Sequence, residues 1–216
     1  MSSSPQPRIS VLAGVNGAGK SSIGGAAFRQ KGGEYYNPDE AARVFMLDEP
    51  ALSQTDANIA AWQAGVRLLK RAIEERLDYA FETTLGGNTI PGLLAHAASL
   101  GIEICIWYVG LSSPDLHIER VKARVSRGGH DIPEESIRRR YEISRNNLIE
   151  LLPSLTALRV YDNSARADPL SAHTQSPVLL LHMKLGKILE QRALAETPNW
   201  AKPIVEAALK LSPPVN

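Results

Sequence analysis

One cysteine, Cys105, occurs in the 216 residues, so no disulfide can close within the chain. That scarcity suits a reducing compartment, and a cytoplasmic location is expected. Cys105 lies inside the apolar run IEICIWYVG with no cationic motif around it, which marks a small buried hydrophobe and not a reactive thiol. Charge of one sign is lacking too: the formal net charge is +1, which removes any overall attraction to nucleic acid. No stretch approaches the about 18 apolar residues of a membrane span. The N-terminal MSSSPQPR has no apolar leader segment and reads as a frayed end. His96 and His117 have no acids or cysteines at ligand spacing, so they read as surface or packing residues and no zinc site is expected. Trp62, Trp107 and Trp200 do not alternate with basic residues, which assigns all three to core packing over base stacking.

What the chain does have is a regular alternation. Short β-rich runs (RISVLA, EYY, YAFET, IEICIWYV and LRVYD) alternate with helical stretches that begin near Gly19, Asp39, Gln54, Thr89, Pro114 and Pro133. This predicts an α/β fold with five strands in a mainly parallel sheet and helices on both faces, three layers in all. The helix near Pro133 has the clearest start, with Asp131 as its cap and Glu134 as the capping-box partner. After Ser164 the turn-rich DPLSAHTQSP leads to VLLLHMKLGKIL and a short helix after Pro203. The division expected is a domain over residues 8–166, with a lid around 120–140, and an appended hairpin and helix over 167–216 held down by Trp200.

Between the first strand and the first helix lies GVNGAGKSS. Gly14-x-x-x-x-Gly19-Lys20-Ser21 is the P-loop pattern, in which backbone N–H groups cradle phosphates, the lysine reaches the β- and γ-phosphates and the serine hydroxyl takes Mg²⁺. The expected nucleotide contacts are Gly14, Asn16, Gly17, Ala18, Gly19, Lys20, Ser21 and Ser22, for ATP or GTP with Mg²⁺. Two features weaken motor and transporter readings. The apolar strand IEICIWYVG runs into Gly110 with no terminal acid, and LGGN at 85–88 lacks the serine and glutamine of a transporter signature loop.

Ligands in doubly wound sheets sit at the carboxyl ends of strands, where YYNPDE and FETT fall. Asp39 is placed to accept a proton from a substrate hydroxyl or to help hold Mg²⁺, the alternative being a plain helix N-cap. Glu82 ends an apolar strand and needs a partner such as Mg²⁺, Lys20 or a substrate hydroxyl. Asn37, Thr83 and Thr84 are candidate substrate contacts from the same two segments. Arg120, Arg124 and Arg127 form a helical stripe that runs into Gly128-Gly129, read as a hinge, and then into His130 and Arg138. Such a stripe can be a solvated face; followed by a hinge, it is built as a lid that brings arginines over a transferring phosphoryl group. His130 and Arg138 are taken as further substrate contacts.

With those residues in view the chain resembles the zeta-toxin-like P-loop kinases, most closely the branch often labelled predicted ABC-type ATPase or kinase. The likeness rests on GVNGAGKSS, YYNPDEAAR, FETTLGG, IERVKARVSRGGHDIPEESIRRRYEISRNNL and VYDNS, from Arg8 to Ala165. It implies an ATP- and Mg²⁺-dependent kinase fold, with Asp39 as base and with Arg120, Arg124 or Arg127 on the γ-phosphate. Zeta toxins phosphorylate a sugar hydroxyl of UDP-N-acetylglucosamine and are silenced by a small antitoxin, so the resemblance implies that acceptor and that partner. The chain departs from the toxins proper in its lid, RxxxRxxRGGH, and in the tail after Asp168. Two rival readings are a kinase acting on a polynucleotide 5′-hydroxyl, supported only by the basic lid, and a non-catalytic ATP-binding module, which has little use for Asp39, Glu82 and the lid.

Overall fold

The computed structural model describes residues 6–20, 35–165 and 176–212. The elements in chain order are β1 (Arg8–Ala13), β2 (Tyr35–Tyr36), α1 (Pro38–Asp48), α2 (Gln54–Glu74), β3 (Tyr79–Thr83) and α3 (Thr89–Ser99). They continue with β4 (Glu103–Gly110), α4 (Pro114–Val125), α5 (Glu134–Leu151), a 3₁₀ turn (Leu152–Ser154), β5 (Ala157–Asp162), β6 (Val178–Lys184), β7 (Lys187–Gln191) and α6 (Lys202–Leu211). The helix expected from Gly19 lies outside the described residues except at Lys20, and Ser21 and Ser22 lie outside them too.

The sheet has seven strands in the order β2-β3-β1-β4-β5-β6-β7, two more than the five expected. The first five in that order are parallel, β6 runs antiparallel to β5, and β7 antiparallel to β6. The hairpin is therefore part of the main sheet: β6 satisfies the row of backbone groups that β5 would otherwise leave at an open edge. Its two central turn residues, Leu185 and Gly186, have φ of 49° and 72°, the left-handed pair that matches hairpin twist.

Central strands carry near-continuous apolar runs because helices cover them. Ile9, Val11, Ile104, Ile106, Leu158 and Val160 are buried in one cluster with Leu148 of α5. Leu181, Met183, Trp200 and Ile204 of the tail belong to that same cluster. Trp200 lies against Gly110, where an added Cβ would come within 2.3 Å of the ring, and its Nε1–H donates to Asp162 Oδ1 at 3.1 Å.

Helix starts follow local capping. Asn37 Oδ1 accepts from the backbone N–H of Asp39 and Glu40, with Pro38 in the first turn of α1, so the cap is Asn37 and not Asp39. Ser53 and Ser113 cap α2 and α4 in the same way. The expected cap at α5 is not formed: Pro133 occupies the cap position without a side-chain bond, and Asp131 Oδ1 accepts from the adjacent Ile132 N–H. Proline sets the backbone angle at this start, and Glu134 and Glu135 in the first turn complement the helix dipole.

Candidate active site

β1 delivers the chain into the phosphate loop at the carboxyl edge of the sheet. Gly14, Gly17 and Gly19 have φ of 142°, 83° and 82°. A Cβ on Gly14 would lie 2.2 Å from the Val109 carbonyl oxygen, on Gly17 2.6 Å from that of His117, and on Gly19 2.4 Å from Asn163 Nδ2. Backbone carbonyls at Gly14 and Gly17 and the Asn163 side-chain amide at Gly19 leave no room for a Cβ, and the positive φ angles shape the turn into a phosphate cradle. Three bonds hold it from below. Gly14 N–H donates to the Thr83 carbonyl at 3.2 Å, Asn163 Nδ2 to the Ala18 carbonyl at 2.9 Å, and His117 Nδ1 lies 2.9 Å from the Asn16 carbonyl. Burial pushes the His117 imidazole down to about 4, so it is neutral and Nδ1 is the donor to that carbonyl.

Lys20 is 8% exposed. Its Nζ donates to the Gly14 carbonyl at 2.7 Å and pairs with Glu82 Oε1 at 3.3 Å. Glu82 Oε2 accepts from Tyr35 OH at 2.8 Å and from Asn37 Nδ2 at 3.4 Å. The carboxylate at the end of β3 is therefore partnered by lysine, phenol and amide, as a nearly buried charge must be. Thr83 and Thr84 turn their hydroxyls back onto the N–H groups of Leu85 and Gly86, closing the loop that follows.

α4 and the turn that follows it meet this edge at Asp39. Arg124 NH1 stands 3.7 Å from Asp39 Oδ2 and His130 Nε2 stands 3.8 Å from Oδ1, both beyond hydrogen-bond length. Arg124 NH2 donates to the His130 carbonyl at 2.9 Å. Burial lowers the His130 imidazole below its usual range, against the pull of Asp39. Arg120 NH2 donates to the carbonyls of Asn163 at 2.7 Å and Ala165 at 3.1 Å, fastening α4 to the end of β5. Gly128 N–H bonds to the Val125 carbonyl and Gly129 N–H to that of Arg124. With Gly128 at φ 88°, the glycine pair forms a Schellman-type helix end. Arg138 does not reach the site: it pairs with Asp115 at 2.5 Å on the surface. Arg140, two residues on and so about 200° around the helix, donates to Asn16 Oδ1 at 2.8 Å.

Two cavities share Asp39 and His130. The smaller, about 230 Å³, is lined by Lys20, Asn37, Glu82, Thr83, Thr84 and Arg140, with Tyr36, Trp62 and Ile90 among its apolar walls. The larger, about 1090 Å³, is lined by Arg120, Arg124, Arg127 and Asn163. Phosphate-loop residues Asn16 and Lys20 face the smaller one. Trp62 corrects the assignment of all three tryptophans to the core, since it is 47% exposed. Among the described residues no group of three or more His, Cys, Asp or Glu could hold a metal by itself. A magnesium ion fits the site only in the manner usual for that ion, through phosphate oxygens and water with one or two protein ligands. Asp39 is available for it, and Ser21 lies outside the described residues.

The sequence gives no separate signal for Tyr35, Asn163 or the supporting role of His117, and within the run Arg138–Arg140 it does not tell which arginine faces the site. NPDE and VYDNS were recognised as segments, but which side chain of each turns inward depends on the fold.

Residues 1–168 match the family model for Zeta toxin, and the chain belongs to that family. It is 31% identical over 129 residues to an uncharacterized protein of Haemophilus influenzae, a stretch covering 59% of this chain and 88% of that one. Among solved structures, the AvrRxo1-ORF1:-ORF2 complex with ATP superposes with a TM-score of 0.65 at 14% identity, covering 98% of this chain and 65% of that one. The PezAT toxin-antitoxin system of Streptococcus pneumoniae superposes with a TM-score of 0.56 at 16% identity, covering 79% and 75%. The fold shared with these structures is the P-loop kinase-like α/β fold.

Proposed function

We propose that this Zeta toxin family member is a P-loop kinase that transfers the γ-phosphoryl group of ATP to a hydroxyl of a small molecule, a nucleotide-sugar such as UDP-N-acetylglucosamine. The observation that carries the reading is the meeting of two cavities at Asp39 and His130, one faced by the phosphate loop and one by the lid arginines. A donor and an acceptor entering from different sides would be brought together there. When bound, ATP supplies the phosphoryl group and Mg²⁺ screens the phosphate charge.

Lys20 and the loop amides hold the phosphates, and Lys20 exchanges part of its pairing with Glu82 for them. Asp39 takes the proton from the acceptor hydroxyl as its oxygen bonds to phosphorus and the bond to the β-phosphate oxygen breaks. Arg124, with Arg120 and Arg127 beside it, offsets charge that develops during transfer. Asn37, Glu82, Thr83, Thr84 and His130 bound the space for the acceptor. Consistent with a lone cysteine, the reaction is assigned to the cytoplasm, and a small antitoxin is the protein partner that family membership suggests.

The test is incubation of the protein with ATP, Mg²⁺ and UDP-N-acetylglucosamine, read by mass spectrometry beside the Lys20→Ala variant. The expected result is a phosphorylated sugar nucleotide that the variant does not make. ATP consumption without it would remove this acceptor and leave other metabolites or a polynucleotide 5′-hydroxyl; ATP binding with no turnover would overturn the kinase reading.

A further inference from the structure

A helix that packs on a sheet ordinarily fills its inner face with apolar side chains. α5 does so with Ile137, Leu148 and Leu151, yet Ser144 and Asn147, 0% and 8% exposed, stand among them. A buried hydroxyl or amide costs stability unless it is bonded, so its partners identify its task. Both residues reach the same target, the loop that follows β3. Ser144 Oγ donates to the Thr84 carbonyl at 2.6 Å, and Asn147 Nδ2 donates to the carbonyls of Leu85 at 2.7 Å and Gly87 at 3.1 Å. Ser144 uses its one proton there, so in its 3.0 Å contact with Tyr108 OH the phenol is the donor. Burial pushes the Tyr108 phenol up to about 12, which keeps that donor protonated.

The loop needs this hold. Leu85 has φ 51°, a left-handed backbone that costs a residue other than glycine about 1–3 kcal/mol and persists only where the surroundings impose it. Glycine would relieve that cost, but the Leu85 side chain is buried in the core. Beside it, a Cβ on Gly86 would come within 2.6 Å of Arg140 Cγ, so α5 lies directly on the loop. In a trans peptide the N–H points opposite to the carbonyl. With the Thr84 and Leu85 carbonyls turned to α5, the N–H groups of Leu85 and Gly86 are turned away from it, onto the hydroxyl oxygens of Thr83 and Thr84. A hydroxyl whose oxygen accepts in this way still has its own proton to donate. Both threonines line the smaller cavity, and Ser144 and Asn147 do not.

We propose that Ser144 and Asn147 are positioning residues for phosphoryl transfer: by fixing three carbonyls of the loop, they aim the Thr83 and Thr84 hydroxyls into the smaller cavity, at the acceptor. The inference rests on the smaller cavity being the acceptor side of the proposed reaction. Arg140 of the same helix bonds to Asn16 of the phosphate loop, so α5 sets the acceptor loop and the phosphate loop against one rod. Acceptor and donor are thereby held at a fixed separation, as in-line transfer requires.

Ser144→Ala and Asn147→Leu remove the donors with little change of volume. Each full-length variant is compared with wild type in three ways: hydrogen exchange read by peptide, calorimetric affinity for a non-hydrolysable ATP analogue with Mg²⁺, and initial rates with ATP and UDP-N-acetylglucosamine. Amides of the segment 84–88 should exchange at least about 10-fold faster while those of β4 are unchanged. Affinity for the ATP analogue should stay within about twofold, which also shows that the variants are folded. For the sugar nucleotide kcat/KM should fall about 10- to 100-fold, with the KM for ATP within about twofold of wild type. In a Thr84→Val background Ser144→Ala should cost at least about threefold less than it does alone, because it acts through that hydroxyl. Loop amides that exchange as slowly as in wild type would overturn the proposal, and so would losses in the double variant that multiply as independent effects. An equal fall in affinity for the ATP analogue would overturn it too, since the two residues would then support the whole fold. If wild type makes no phosphorylated sugar nucleotide while the loop of both variants still opens, the acceptor named above is wrong and the hold of α5 on the loop stands.

Discussion

His117 lies under the phosphate loop, almost fully buried, with its imidazole pushed down to about 4. In the unfolded chain a histidine titrates near 6.5, so between those values the unfolded state binds a proton that the folded state refuses. The contribution to stability is therefore complete above about pH 6.5 and is lost as pH falls toward 4, by on the order of 3 kcal/mol. Urea midpoints compared at pH 7 and 4.5 should fall further for wild type than for His117→Gln; equal falls would show that His117 does not carry the effect. Gly17 is the companion case. At φ 83° and with its added Cβ 2.6 Å from the His117 carbonyl, Gly17→Ala should destabilise by about 1–3 kcal/mol. Its ATP affinity, measured by calorimetry, should drop more than about 10-fold because the cradle opens. Gly14 and Gly19 were legible from the P-loop spacing, whereas Gly17 falls at a free position of that pattern and its requirement comes from the fold. The choice between Arg138 and Arg140 was not legible either, because both sit in one arginine run and only the orientation of α5 decides which guanidinium turns inward.

At the scale of elements, β1 and β3 were readable to the residue, being short apolar runs bounded by turn signals. The hairpin's membership of the sheet was hidden by the polar linker before it, since pairing between β5 and β6 leaves no periodic trace in either strand. The start of α5 near Pro133 was legible, but its cap was not, because a capping-box spacing and a proline start look alike in sequence. Trp200, expected to hold the tail down, does so by lying on Gly110 and bonding to Asp162, next to the Asn163 that supports the phosphate loop. Gly110→Ala places a methyl group 2.3 Å from the ring, and such overpacking should cost about 1–3 kcal/mol. The double variant with Trp200→Phe should be destabilised by less than the sum of the two single variants in thermal unfolding. Strict additivity would mean that the ring moves aside without resistance.

For the whole molecule, the family match ends at residue 168, while the core does not. Leu180, Leu181, Met183, Trp200, Ile204, Val205 and Ala208 are buried in the cluster that also holds β1 and β4. Each large apolar side chain contributes about 1.5–3 kcal/mol on burial, so together they rival a domain's net stability of about 5–15 kcal/mol. A chain cut after residue 168 is therefore expected not to fold, as read by loss of cooperative thermal unfolding in circular dichroism; a cooperative transition near that of the full chain would contradict this. The mechanism proposed for the intact molecule places proton acceptance at Asp39, where the two cavities meet. The most direct test is single-turnover transfer of labelled γ-phosphoryl from ATP into an acceptor, wild type against Asp39→Asn, with ATP affinity measured in parallel. The account predicts ATP affinity within about twofold and transfer slower by about 10²–10⁴-fold; an Asp39→Asn variant that transfers at the wild-type rate would contradict it.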